Sequence, residues 1–149
     1  MVEKYKRLGY LINKASKSAR WELSNKLAEV GLTASQYAVI KDIEICEARG
    51  MNTTPAEIAN RIHSDRPTVS GILERLVKLG WVHRVMRPED KRSHYVKLTE
   101  KAMDNRNILE DLSDKTMAQA LKGFSEEELN NLTEYLSRII GNFSTDKLS

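Results

Sequence analysis

Apolar residues recur at helical spacing through both ends of the chain and change to strand-type spacing in one short central stretch. Residues 2–30 place Tyr5, Leu8, Ile12, Ala15, Ala19, Leu23 and Leu27 at three- and four-residue steps, which predicts a long amphipathic helix stopped by Gly31. Thr33, with Gln36 three positions on, is a capping box that opens a second helix, and Tyr37, Ile40 and Ile43 continue its inner face. Thr54, Pro55 and Glu57 announce a third helix running to about Ile62, with Ala56, Ile58, Ala59 and Ile62 as its apolar stripe. A fourth helix begins between Ser64 and Pro67. It buries Val69, Ile72, Leu73, Leu76 and Leu79 and turns Pro67, Ser70, Gly71, Glu74 and Lys78 outward.

Gly80 ends that helix, and Trp81, Val82 and Val85 on one side of residues 87–93, with Tyr95, Val96 and Leu98 on the other, predict a two-stranded hairpin with a polar tip. Thr99 caps a further long helix that packs Ala102, Leu109, Leu112 and Leu121 and ends at Gly123. Ser125 with Glu128 then opens a last helix carrying Leu129, Leu132, Leu136, Ile139 and Phe143. The fold class is therefore mostly α with a small β-hairpin (α+β). Two short helices, a turn and a charged hairpin in the middle are the layout of a winged helix-turn-helix that reads DNA.

Within that layout, Gly71 is the odd residue. A glycine inside a helix costs about 1 kcal/mol relative to alanine, so it answers either to close approach of a partner's surface or to a tight helix crossing inside the protein. The hairpin tip carries Arg87, Lys91 and Arg92, with Asp90 near enough in sequence to brace an arginine by a salt bridge. Arginine on a narrow hairpin suits the minor groove of DNA, although an ordinary solvated turn has the same composition. Charge favours the first reading. Residues 61–101 hold ten Lys or Arg against five acids, whereas residues 102–149 hold five against nine and the whole chain is only +3. A local basic surplus is what counterion release from phosphates requires. A membrane-surface patch would also be basic, but the hairpin offers no long amphipathic helix, and no membrane partner is expected.

Composition bounds the rest. With 149 residues, 40% hydrophobic and 30% charged, the chain is expected to be a single domain over 1–149, with 1–31 and 100–149 as dimerisation helices and 32–99 as the DNA-binding lobe. No apolar run approaches 18 residues and the N-terminus lacks an uninterrupted apolar core, so a cytoplasmic location is expected. The one cysteine, Cys46, sits in an apolar run and reads as a buried helix residue; redox sensing would need nearby cations, and its neighbours are Glu44 and Glu47. His63, His83 and His94 have no zinc-motif spacing, although His83 and His94 flank the hairpin tip and could approach across it. No nucleophile or acid–base pair is organised, so no enzyme, metal or cofactor is expected. Helical, apolar ends around a central reading head suggest that the ends bind those of a second copy rather than only covering their own core. A two-fold dimer would present two reading helices about 34 Å apart and call for an inverted-repeat operator.

The order of elements resembles the MarR family of transcription regulators over essentially the whole chain. Leu32-Thr-Ala-Ser-Gln-Tyr37 looks like the start of that family's second helix and Thr54-Pro-Ala-Glu-Ile-Ala59 the start of its third. Thr68-Val-Ser70, Leu73, Arg75-Leu76 and Leu79-Gly80 resemble its recognition helix, and Arg87-Pro-Glu-Asp-Lys-Arg92 leading to Val96-Lys-Leu-Thr99 resembles its wing. The resemblance implies a homodimeric regulator, usually a repressor, released from double-stranded DNA by a small ligand or an oxidant. It implies that Asp90 and Arg92 are the wing pair, with Arg92 or Lys91 at the minor groove, beside Arg87. It also implies that Arg66, Pro67, Thr68, Ser70, Gly71 and Arg75 form the reading surface. Gly71 departs from the family, whose members often carry an arginine or another long polar residue there, so Arg66 and Arg75 take more of the readout. The aromatic or phenolic ligands of the family imply a pocket at Arg20, Trp21 and Tyr37. A protein-interaction module and a metal- or redox-responsive regulator of the same fold are the alternatives.

Overall fold

Side-chain caps set most of the helix starts in the computed structural model, which describes residues 1–144. Residues 145–149, counted in the expected C-terminal dimerisation segment, lie outside the described residues. Helix α1 spans Val2–Leu27 and tightens into a 3-10 turn, Ala28–Val30, which Gly31 closes with a φ of 76°. In α2, Ala34–Ala48, the Thr33 hydroxyl accepts from Gln36 N–H (3.2 Å) while the Gln36 side chain accepts from Thr33 N–H (2.9 Å). The same reciprocal pair, Thr54 with Glu57, opens α3, Pro55–Arg61. Helix α4 spans Arg66–Lys78, and its cap is Asp65, whose carboxylate accepts from Thr68 N–H at 2.8 Å. Each capped start satisfies backbone donors that a helix otherwise leaves to water.

Strands β1, Val82–Met86, and β2, His94–Leu98, pair antiparallel with Val82 opposite Leu98 and Met86 opposite His94. Thr53 adds a third chain to this hairpin: its carbonyl accepts from Val96 N–H at 3.0 Å. The long helix expected after Thr99 is interrupted. It divides into α5, Glu100–Asp104, and α6, Arg106–Ala120, because the Asn105 side-chain amide donates to Lys101 O (2.8 Å) and shares that carbonyl with its own backbone N–H (3.1 Å). An asparagine side chain that imitates a backbone donor is a standard way to disturb a helix. Helix α7, Glu126–Phe143, begins at the Ser125–Glu128 capping box.

The chain divides into two compact units, Met1–Thr116 and from Met117 onward. In the first, Leu27, Ile43, Ile58, Val69, Leu73, Leu76, Trp81 and Val96 are among the residues that make one continuous core. Trp81 is buried, with the Lys101 ammonium 4.8 Å from its ring centroid. The Thr99 hydroxyl donates to Gly80 O (2.6 Å) and Lys101 Nζ donates to Leu79 O (2.8 Å), so α5 closes the C-terminal end of α4. Leu79 corrects the expected inner face of α4: it is exposed, because the helix ends there, and Val77 packs against the core instead. Cys46 is buried, as its apolar run predicts.

Only the C-terminal part of α1 reaches this core: Leu27 is buried and Leu23 packs against it, while Tyr5, Leu8, Leu11 and Ile12 are exposed. In the second unit, α7 likewise exposes Tyr135, Leu136, Ile140 and Phe143. Among the described residues no helix is long and apolar enough to cross a membrane.

Candidate functional site

Helix α4 carries its polar face outward, with Arg66, Pro67, Thr68, Ser70, Gly71, Glu74, Arg75 and Lys78 all exposed. Gly71 is bare for no internal reason, since a Cβ built there would meet nothing within 4 Å. A tight helix crossing is thereby excluded as its explanation. Thr68 stands apart from the rest of the face. Its hydroxyl donates to Asp65 Oδ2 at 2.8 Å, so its proton is committed to the helix cap and only its lone pairs remain for a partner. That cap, through the Thr68 backbone first and its hydroxyl second, holds the Asp65 carboxyl below its ordinary value. Among the described residues, no ion pair involves Arg66 or Arg75, whereas Lys78 pairs with Glu74 at 3.5 Å.

At the hairpin tip the expected brace is built differently. Asp90 Oδ1 accepts from the backbone N–H of Arg92 (3.0 Å) and the Asp90 carbonyl accepts from Ser93 N–H (3.1 Å), so Asp90 shapes the turn rather than pairing with an arginine side chain. A carboxylate two residues before an amide closes an Asx turn more readily than it reaches a guanidinium on the same tight loop. The acid that meets an arginine is Glu89, 3.6 Å from Arg87 Nε, and the Arg87 guanidinium also lies 5.1 Å from the Tyr95 ring centroid. Lys91 and Arg92 are exposed, and among the described residues neither has an ion-pair partner. The turn thus holds two free cations outward on a backbone fixed by Asp90.

His83 and His94 do not meet. The register places His83 opposite Lys97 and His94 opposite Met86, which puts the two imidazoles on opposite faces of the hairpin. His94 lies on the face of Arg84, and partial burial, then that cation, lowers its pKa. No group of three or more metal-ligating side chains occurs among the described residues.

A cavity of about 620 Å³ opens between α1, α2 and the turn joining α3 to α4; Arg20, Tyr37, Lys41, Asp42, His63 and Thr68 are on its walls. The structure therefore brings together two of the three expected pocket residues, Arg20 and Tyr37, with Arg20 Nη2 donating to Ser35 Oγ at 2.6 Å. Trp21 does not line the cavity but an adjoining hollow that shares Arg20, Ala34 and Ser35 with it. One residue along the helix is a turn of about 100°, which leaves Trp21 69% exposed next to Lys17 and Ser24 on the far side of Arg20. His63 is a wall residue that sequence reasoning missed, and its φ of 53° shows it holding the left-handed position usually given to glycine in such a turn.

Charge counting between residues 61 and 101 also missed a second basic segment. Helix α1 carries Lys4, Lys6, Arg7, Lys14, Lys17, Arg20 and Lys26 against only Glu3 and Glu22, a signal that was present in the sequence.

Comparison with known proteins locates similarity to the MarR family at residues 32–94. The chain is 29% identical over 135 residues to the HTH-type transcriptional regulator SarZ of Staphylococcus epidermidis, covering 91% of this chain and 87% of that protein. It is 36% identical over 92 residues to the multiple antibiotic resistance protein MarR of Escherichia coli, covering 62% of this chain and 61% of that one. Among solved structures, a mutant E. coli MarR complexed with operator DNA superposes with a TM-score of 0.81 at 26% identity, over 93% of this chain and 97% of that one.

Proposed function

We propose that the chain, similar over residues 32–94 to the MarR family of transcription regulators, is a regulator of that family rather than an enzyme, and that it binds double-stranded DNA as a homodimer and represses transcription from an inverted-repeat operator. One observation carries the DNA reading: the Asp90-ordered turn holds Arg92 and Lys91 outward and unpaired, on a hairpin anchored beside α4. An unpaired cation on a pre-shaped turn loses little conformational freedom on meeting a phosphate or the minor groove. Helix α4, with its bare Pro67, Ser70 and Gly71, lies in the major groove, and Arg66 and Arg75 engage bases or flanking phosphates.

Two features support the dimer. Exposed apolar residues on α1 and α7 are more than a monomer normally leaves in water, and a partner's helices would cover them. The excess of cations on α1 also complements the excess of acids in residues 102–149 of a second copy. The ligand reading rests on the cavity. Its walls include Thr68 and Ile72 of α4, so a small aromatic or phenolic acid seated against Arg20 and Tyr37 would press on the reading helix itself.

The test is duplex binding as a function of salt. The affinity of the full chain should fall steeply with ionic strength, and Arg92→Ala should make the log–log slope shallower by about one unit. Absence of duplex affinity at low salt overturns the reading. Selection from a random duplex pool should enrich an inverted repeat, and enrichment of a single unrepeated site overturns the symmetric dimer.

A further inference from the structure

Arg61, the last residue of α3, holds three segments at once. Its Nε lies 3.0 Å from Asp42 Oδ1 and its Nη2 lies 2.8 Å from Asp42 Oδ2, a two-pronged grip on α2. The same Nη2 donates to the hydroxyl of Thr53. Thr53 is buried; its hydroxyl is also 3.4 Å from Glu57 Oε2, and its carbonyl accepts from Val96 N–H in β2 at 3.0 Å. One planar guanidinium therefore joins α2, α3 and the strand-like segment against which the hairpin is paired.

We propose that Arg61 is a positioning residue that sets the pose of the wing relative to the reading helices by clamping Thr53 to Asp42. The proposal rests on the DNA reading above only for the consequence of wing pose, not for the clamp itself. A fork is needed for this task. Lysine presents a single ammonium and does not reproduce a two-pronged carboxylate grip together with a third, differently directed hydrogen bond. A second contact keeps the wing folded without the clamp, since Glu47 Oε1 of α2 accepts from Leu98 N–H at 3.1 Å. Loss of Arg61 should therefore loosen the hairpin base without unfolding the protein. Asp42 is also part of the cavity wall, so the clamp shares one side chain with the cavity.

The experiment compares full-length Arg61→Gln, Arg61→Lys and Asp42→Asn with the unaltered chain, by native-state hydrogen exchange and by salt-dependent duplex binding. Exchange at the Val96 amide should quicken by about tenfold, as for loss of one charge-assisted hydrogen bond, while core amides such as Leu73 keep their protection relative to global stability. Arg61→Lys should behave like Arg61→Gln. The salt slope should become shallower by about one unit, as it does when a wing contact is lost. Unchanged exchange at Val96, or acceleration spread evenly over Val96 and Leu73 alike, overturns the proposal, as does full rescue by lysine. If the unaltered chain binds no duplex at low salt, the DNA reading fails while the exchange measurement still decides the clamp.

Discussion

Replacing Gly71 with alanine should change stability and binding in opposite directions. The substitution adds one methyl to the exposed face of α4, where the built Cβ has no neighbour within 4 Å and φ is not positive, so neither a clash nor backbone strain opposes it. What remains is the helix-propensity difference, about 1 kcal/mol in favour of alanine. For a chain of this size that corresponds to a rise in melting temperature of about 2–4 °C. In the proposed complex, the methyl would stand between the helix backbone and the floor of the major groove. If the bare backbone approaches base edges, binding to the selected operator should weaken by about 1–3 kcal/mol, the scale of one mismatched base pair, while non-specific binding hardly changes. Thermal melts by circular dichroism read the first effect, and fluorescence anisotropy with operator and scrambled duplexes reads the second. A melting temperature that stays the same or falls refutes the claim that nothing inside the protein needs this glycine. Operator affinity equal to that of the unaltered chain refutes close approach at this position.

Thr54→Ala should lower stability by about 1 kcal/mol, because Glu57 N–H loses its side-chain acceptor, and Thr54→Ser should restore most of it; urea midpoints measure both. The lowered pKa of His94 gives stability a pH dependence with a definite sign: the native state resists protonation, so stability present above pH 6.5, the ordinary histidine value, is lost as pH falls through the lower native pKa. Midpoints on either side of pH 6.5 should therefore differ less in His94→Gln than in the unaltered chain; an equal difference would show that His94 is not the group responsible. Leu8→Glu together with Ile140→Glu should convert the proposed dimer to monomer in sedimentation equilibrium, since both residues are exposed on the α1 and α7 faces. Cys46, being buried, should react with a thiol reagent only at the rate of unfolding, and rapid labelling of the native protein would contradict its position.

Short-range chemistry was the legible part of this chain. Thr33 with Gln36, Thr54 with Glu57, and Ser125 with Glu128 are each separated by three residues, and a cap acts over that distance whatever the rest of the protein does. Asp90 does meet Arg92, but through the Arg92 backbone N–H rather than its side chain, because a loop residue chooses between backbone and side-chain partners by turn geometry that composition does not specify. Register was out of reach for the same kind of reason. Whether His83 and His94 face each other depends on an alignment in which one residue of slip exchanges the faces, and only the pairing of Val82 with Leu98 fixes it. The cavity needed still more, since Arg20, Tyr37 and His63 meet only after α1, α2 and the α3–α4 turn have packed. Asn105 was the subtle miss: its side chain competes for Lys101 O in a stretch whose apolar spacing reads as unbroken helix.

The Thr53 bridge also bears on how the protein behaves at high concentration. A two-stranded hairpin has two open edges, each able to add a strand from another molecule and seed aggregation. Here two of the outer amides of β2 are already occupied, Val96 N–H by the Thr53 carbonyl and Leu98 N–H by Glu47. The longer open edge is that of β1, a five-residue strand carrying Arg84 in its middle. Short length and a central charge are both poor templates for strand addition, so the hairpin can project into solvent without recruiting its own kind.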